Sequence, residues 1–240
     1  LVGGGALAAL DQLAALHRRM PFKLHLVGHS AGSIFQAPLA RLLTAPAGQI
    51  TSGYLKGKTG YGLGVDTCTL WAPACTIELF KQAYLPAVRD GSVGRFALFA
   101  LSDKAEQDDH VARIYSKSLL YLVSRAFESA PFGEGVPLLG MEKWIARNDE
   151  VRRLFTGGNA DLVFSPNDVP TGAVNASRSV EHGAFDDDAA TVQATLARML
   201  AATPAEKAPP AADLTFDFHR SSASLRGRRE ALERQTQWRT

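Results

Sequence analysis

Residues Gly28-His29-Ser30-Ala31-Gly32 read G-x-S-x-G. A serine hydroxyl is a weak nucleophile unless the chain holds it on a strained turn between a strand and a helix, exposed above the sheet edge. That context is present: Leu24, Leu26 and Val27 lead into the motif, and helical spacing of Ile34, Leu39, Leu42 and Leu43 follows it. Glycines two places before and two after the serine suit a turn that backbone and helix approach closely. The competing use of Ser30 is as an ordinary helix N-cap.

The elements needed to carry such a turn can be read on both sides of it. Leu7, Leu10, Leu13, Leu16 and Met20 recur at helical spacing up to Pro21, and Phe22 to Val27 reads as a strand. The helix after the motif is expected to break or reset near Pro38. Thr44 to Asp66 reads as loop, Cys68 to Ala72 as a second strand, and Ile77 to Val88 as a helix ended by Asp90-Gly91. Phe96 to Leu101 is a third strand, followed by a long helix expected from about Val111 to Phe127. Pro131 to Asn159 is a Gly- and Pro-punctuated excursion with one helix around Trp144. Leu162 to Phe164 is a weaker strand and Thr191 to Leu200 a final helix. Strands alternating with helices, each strand nearly continuous in apolar residues, imply an α/β fold with a parallel sheet of about four strands covered on both faces. Residues 1–201 are expected to form this domain, and 202–240 a Pro/Ala linker with a basic, disordered tail.

The 240 residues are 46% hydrophobic with a formal net charge of +2, which excludes a disordered or fibrous chain. The tail carries six Arg from Phe218 onward, so the body is slightly acidic and nucleic-acid binding is not expected. Cys68 and Cys75 flank one strand, too far apart for a disulfide, and read as buried thiols suited to a reducing, cytoplasmic compartment. No apolar run is long enough for a membrane span. Gly3-Gly4-Gly5 lacks the preceding strand and the later acidic residue of a dinucleotide site, so no cofactor is expected.

The strand, G-x-S-x-G turn and helix resemble the α/β-hydrolase superfamily over residues 1 to about 201. The resemblance implies a Ser-Asp-His triad with the acid and the histidine later in the chain, in that order. Of the six histidines, His17 and His25 precede the turn, His29 is the motif's variable position, His219 is in the tail and His110 sits where the acid belongs. His182, after the fourth strand and before the last helix, is left as the base. Its plainer reading is a loop histidine beside Asp186 to Asp188, which cap the helix; a metal site is disfavoured because no second histidine has ligand spacing. For the acid, an aspartate three residues before a valine matches the pattern of such hydrolases, which favours Asp108 ahead of Val111; Asp103 and Asp109 are the alternatives. The Ala31 N–H would donate to the oxyanion.

The resemblance also implies four earlier strands and a second oxyanion donor that this sequence lacks. The expectation is therefore an impaired fragment, with an apolar sheet edge open to a missing N-terminal segment or to self-association. The expected reaction is hydrolysis of a small-molecule carboxylic ester through an acyl-enzyme; amides, thioesters and peptides are alternatives. Trp71, Phe185, Trp144 and Tyr54 are candidates for an acyl pocket. A non-catalytic binding or assembly module on the same fold is the rival reading.

Overall fold

The computed structural model describes residues 4–109, 118–127 and 135–201. His110, Val111, His219, the linker and the basic tail lie outside the described residues, as does most of the first half of the expected long helix.

In chain order the elements are α1 (Gly5–Arg19), β1 (His25–His29), α2 (Gly32–Thr44), β2 (Gly48–Gln49), β3 (Thr59–Gly60), β4 (Val65–Trp71), α3 (Ile77–Ala83) and α4 (Leu85–Arg89). They continue as β5 (Val93–Leu101), α5 (Asp103–Asp108), α6 (Leu119–Leu122), α7 (Glu142–Ala146), α8 (Asp149–Leu154), β6 (Ala160–Ser165) and α9 (Ala189–Ala201). A π-helical turn (Val123–Phe127) follows α6, and a 3-10 turn (His182–Ala184) precedes α9. β1, β4, β5 and β6 form one parallel sheet in the order β1-β4-β5-β6, and β2 and β3 make a small antiparallel pair in the loop after α2.

The apolar run of β5 is explained by burial on both sides. Phe96, Leu98 and Ala100 join a core shared with α2, α3, α4 and α6 to α8, while Ala97, Phe99 and Leu101 join a second core with Trp71, Val163, Phe185 and Ala194. Successive side chains of a strand point to opposite faces, so a strand covered twice has no reason to alternate. Cys68 and Cys75 are free and buried, and burial pushes both thiols up to about 12. A buried guanidinium locks α9 down: Arg198 bonds Asp161 of β6 and Asn175 and Val174 of the following loop, with its charge 5.1 Å from the Phe99 ring centre.

Several local expectations are corrected. The expected Ile77 to Val88 helix is two, broken at Tyr84, because Pro86 has no N–H to give. Pro38, by contrast, leaves α2 continuous; the carbonyl deprived of its donor belongs to Ile34, in the exposed first turn where water can serve it. The loop after β5 contains α5, opened by Ser102, whose hydroxyl accepts from the Ala105 N–H. Over its described part, the expected long helix starts only at Leu119, behind the Ser118 cap.

β1 lies at the sheet edge. The Asp66 N–H donates to the Leu24 carbonyl and the Ser30 N–H to Trp71, so the even-numbered residues of this strand face β4 and His25, Val27 and His29 turn their backbone groups outward. The Gln36 side-chain amide, from α2, donates to the outward Val27 carbonyl and closes part of that edge. Among the described residues no helix is long and apolar enough to cross a membrane.

Candidate active site

β1 delivers Ser30 at the carboxyl end of the sheet. Its φ of +53° lies in the left-handed region, which costs a residue bearing a Cβ about 1–2 kcal/mol. The backbone is held there from both sides. The Ser30 N–H donates to the Trp71 carbonyl at 3.0 Å, while the Ser30 carbonyl accepts from the Ser33 N–H (3.0 Å), the Ser33 hydroxyl (2.7 Å) and the Ala74 N–H (3.1 Å). Ser33 is fully buried and also accepts from the Cys75 N–H at 3.0 Å, and its carbonyl accepts from the Tyr84 hydroxyl at 2.6 Å. Ala72, where β4 ends beside this turn, is also left-handed, with φ +39°. The two motif glycines are not equivalent. A Cβ on Gly28 would meet the Gln36 amide oxygen at 2.8 Å, whereas one on Gly32 would meet nothing within 4 Å, so crowding accounts for Gly28 alone.

His182 is brought to Ser30 from 152 residues away, with Nε2 at 2.8 Å from the hydroxyl. Its backbone is gripped at both ends: the His182 N–H donates to Asp109 Oδ2 at 2.9 Å, and the His182 carbonyl accepts from His29 Nε2–H at 2.8 Å. The loop leading to it is fixed by a buried hydroxyl chain, in which Ser165 donates to the Ser179 carbonyl, Ser177 donates to Ser165 and Ser177 bonds Thr191. Asp188 accepts from the Thr191 hydroxyl and from the N–H groups of Arg178, Ala190 and Thr191, which is its capping role.

The His182 ring is 4% exposed, and its Nδ1 has no hydrogen-bond partner among the described residues. Burial, followed by the neighbouring His29, pushes its pKa down to about 3. A buried imidazole that no anion faces resists taking a proton.

Of the three candidate acids, Asp109 reaches His182, through its backbone N–H. Asp108 is exposed and makes no hydrogen bond to His182 among the described residues. It is the last residue of α5, and the chain leaves the helix at Asp109, which is extended (φ −74°, ψ 147°) and turns its carboxylate to His182. Asp103 faces elsewhere, accepting from the Tyr121 hydroxyl at 2.8 Å and from Gln107. One turn before Asp109, Glu106 is 1% exposed and accepts from the Ser118 hydroxyl, with burial pushing its carboxyl up to about 8.

The remaining candidates separate by location. Ala31 is exposed at the head of α2, and its N–H makes no hydrogen bond among the described residues. The rings of Trp71 and Phe185 stand 6.5 and 6.2 Å from that of His29, forming a wall behind it, and the Trp71 N–H donates to Thr195. Trp144 is packed in the core on the other side of the sheet, and Tyr54 is half-exposed in the loop before β3. His29 and Ser33 carry site contacts that the motif alone does not announce. Their partners, His182 and Cys75, lie 153 and 42 residues away.

Compared with protein-family models, curated proteins and solved structures, the chain matches none of them. Geometry and chemistry therefore carry the functional reading.

Two stability outcomes follow from this geometry. With the hydroxyl removed in both, Ser30→Gly should be more stable to urea than Ser30→Ala by about 1 kcal/mol, because only glycine escapes the left-handed penalty; equal midpoints would contradict the strained turn. Glu106 is held protonated by burial, so its contribution is complete below about pH 4.5 and is lost as pH rises towards about 8. Urea unfolding across that range should show wild-type stability falling with pH more steeply than that of Glu106→Gln, whose neutral amide has nothing to lose.

Proposed function

We infer that the chain is a serine hydrolase of α/β-hydrolase type acting on carboxylic esters of small molecules. The observation that carries this reading is the 2.8 Å approach of His182 Nε2 to the hydroxyl of a left-handed Ser30 at the end of a parallel strand. Nucleophile and base within hydrogen-bond reach, on a strand-to-helix turn, are what acyl transfer requires.

In the proposed mechanism Ser30 Oγ attacks the substrate carbonyl carbon as its proton passes to His182 Nε2. The tetrahedral oxyanion is met by the free Ala31 N–H, a donor worth about 3 kcal/mol when well aimed. Collapse of the intermediate breaks the bond to the alcohol, which leaves with the proton from Nε2. Water, activated by the same nitrogen, then attacks the acyl-enzyme and restores Ser30. Throughout, Nδ1 must carry a proton that faces an anion, since otherwise the imidazolium is too costly to form. Asp109 is the acid in this reading. Its carboxylate already hydrogen-bonds the His182 backbone N–H at 2.9 Å, which makes it the acidic side chain held against His182 in the described residues.

A non-catalytic binding module is the second reading, favoured by one observation: the unpartnered Nδ1, with the imidazole pKa pushed down to about 3, describes a poor base as it stands.

Turnover of a short-chain aryl ester by the full chain, abolished by Ser30→Ala, is the expected result; turnover unchanged by that substitution rejects the mechanism. Asp109→Asn keeps an oxygen for the His182 N–H but removes the charge, and should lower kcat by roughly 100-fold or more, whereas Asp108→Asn should leave it within about 2-fold. The reverse ranking in steady-state kinetics would return the acid to Asp108.

A further inference from the structure

We propose that His29, the variable residue of the G-x-S-x-G turn, is a positioning residue for the base: its Nε2–H clamps the His182 carbonyl and so sets the reach of the His182 ring to Ser30. The proposal rests on the hydrolase reading above and adds a component to it.

A carbonyl can only accept, so His29 Nε2 must carry its proton for the 2.8 Å contact to be a hydrogen bond. This contact holds one end of the His182 backbone and Asp109 holds the other. His29 is covalently joined to Ser30. The clamp thus ties nucleophile and base through a single residue: any drift of His182 away from Ser30 must stretch the bond to the residue next to Ser30. The His29 ring is itself steadied between the rings of Trp71 and Phe185. Phe185 is fully buried and only three positions after His182, so the wall that orients the clamp moves with the segment it clamps. Reacting groups misplaced by about 1 Å lose on the order of 100-fold in rate, the scale on which such a contact matters.

His29 also bears on the charge of His182. The two ring centres are 5.5 Å apart, and among the described residues the groups that face the His182 ring or backbone within hydrogen-bond or ring contact are His29, Ser30 and Asp109. Electrostatically, His29 opposes protonation of His182.

The test measures the rate at which a fluorophosphonate labels Ser30 in the full chain, by intact mass, across pH. It compares wild type with His29→Gln, His29→Asn and His29→Phe, each checked for folding by circular dichroism. Glutamine places an N–H where imidazole Nε2 stands, asparagine stops short of it, and phenylalanine fills the space without a donor. Labelling of His29→Gln should stay within about 3-fold of wild type, while His29→Asn and His29→Phe slow by roughly 10- to 100-fold. In His29→Gln, which keeps both the donor and the packing, the acid limb of the labelling rate should still move to higher pH, because the neighbour that opposes protonation of His182 is gone. Equal labelling and an unmoved acid limb in every folded variant would overturn the clamp while leaving the hydrolase reading intact. Absence of labelling in wild type would sink the hydrolase reading, and the clamp's purpose with it.

Discussion

The exchange of backbone hydrogen bonds between Ser30 and the end of β4 is the constraint on which the candidate site depends. One bond runs out to Trp71 and one comes in from Ala74, and together they hold a serine in a conformation that its Cβ disfavours. A left-handed residue persists only where its surroundings over-determine it. Ser33 adds to that determination by bonding the Ser30 carbonyl twice and fastening itself to Cys75 and Tyr84. The hydroxyl is therefore aimed by the sheet, and α2 begins where the aiming ends.

His182 is held by different means. His182 sits in a short 3-10 turn, and order in the loop before it comes from buried hydroxyls and from Asp188 rather than from a ladder of backbone bonds. Burial on this scale fixes the ring but starves it of water, which is why its proton affinity falls. Position and basicity thus pull against each other at His182, and the charge nearby decides between them. Asp109 and His29 hold opposite ends of the same residue, one accepting from its N–H and the other donating to its carbonyl.

How much of this was legible in the sequence follows from where the burial lies. The strand of Phe96 to Leu101 announced itself because both of its faces are covered, and the strand-turn-helix around Ser30 because apolar runs flank it. α5 was hidden by its own composition: Asp103 to Asp108 is polar almost throughout, and Glu106 is its one buried residue. Asp108 and Asp109 are identical in type and adjacent, so no residue preference separates them; the exit of the chain from the helix does. The contacts of His29 were invisible for another reason, since their partner is fixed only once the sheet is assembled. The apolar pattern places the strand at Phe22 to Val27, whereas β1 spans His25–His29, and that extension carries His29 up to His182.

The separation of 152 positions from Ser30 to His182 has a consequence for biosynthesis. As the polypeptide emerges from the ribosome, the strained turn and its struts at the end of β4 are all translated before the imidazole. Until β6 and the segment behind it arrive, the Ser30 hydroxyl lacks its His182 partner. That contact can form only late, once β6 has joined the sheet and the segment after it has delivered His182.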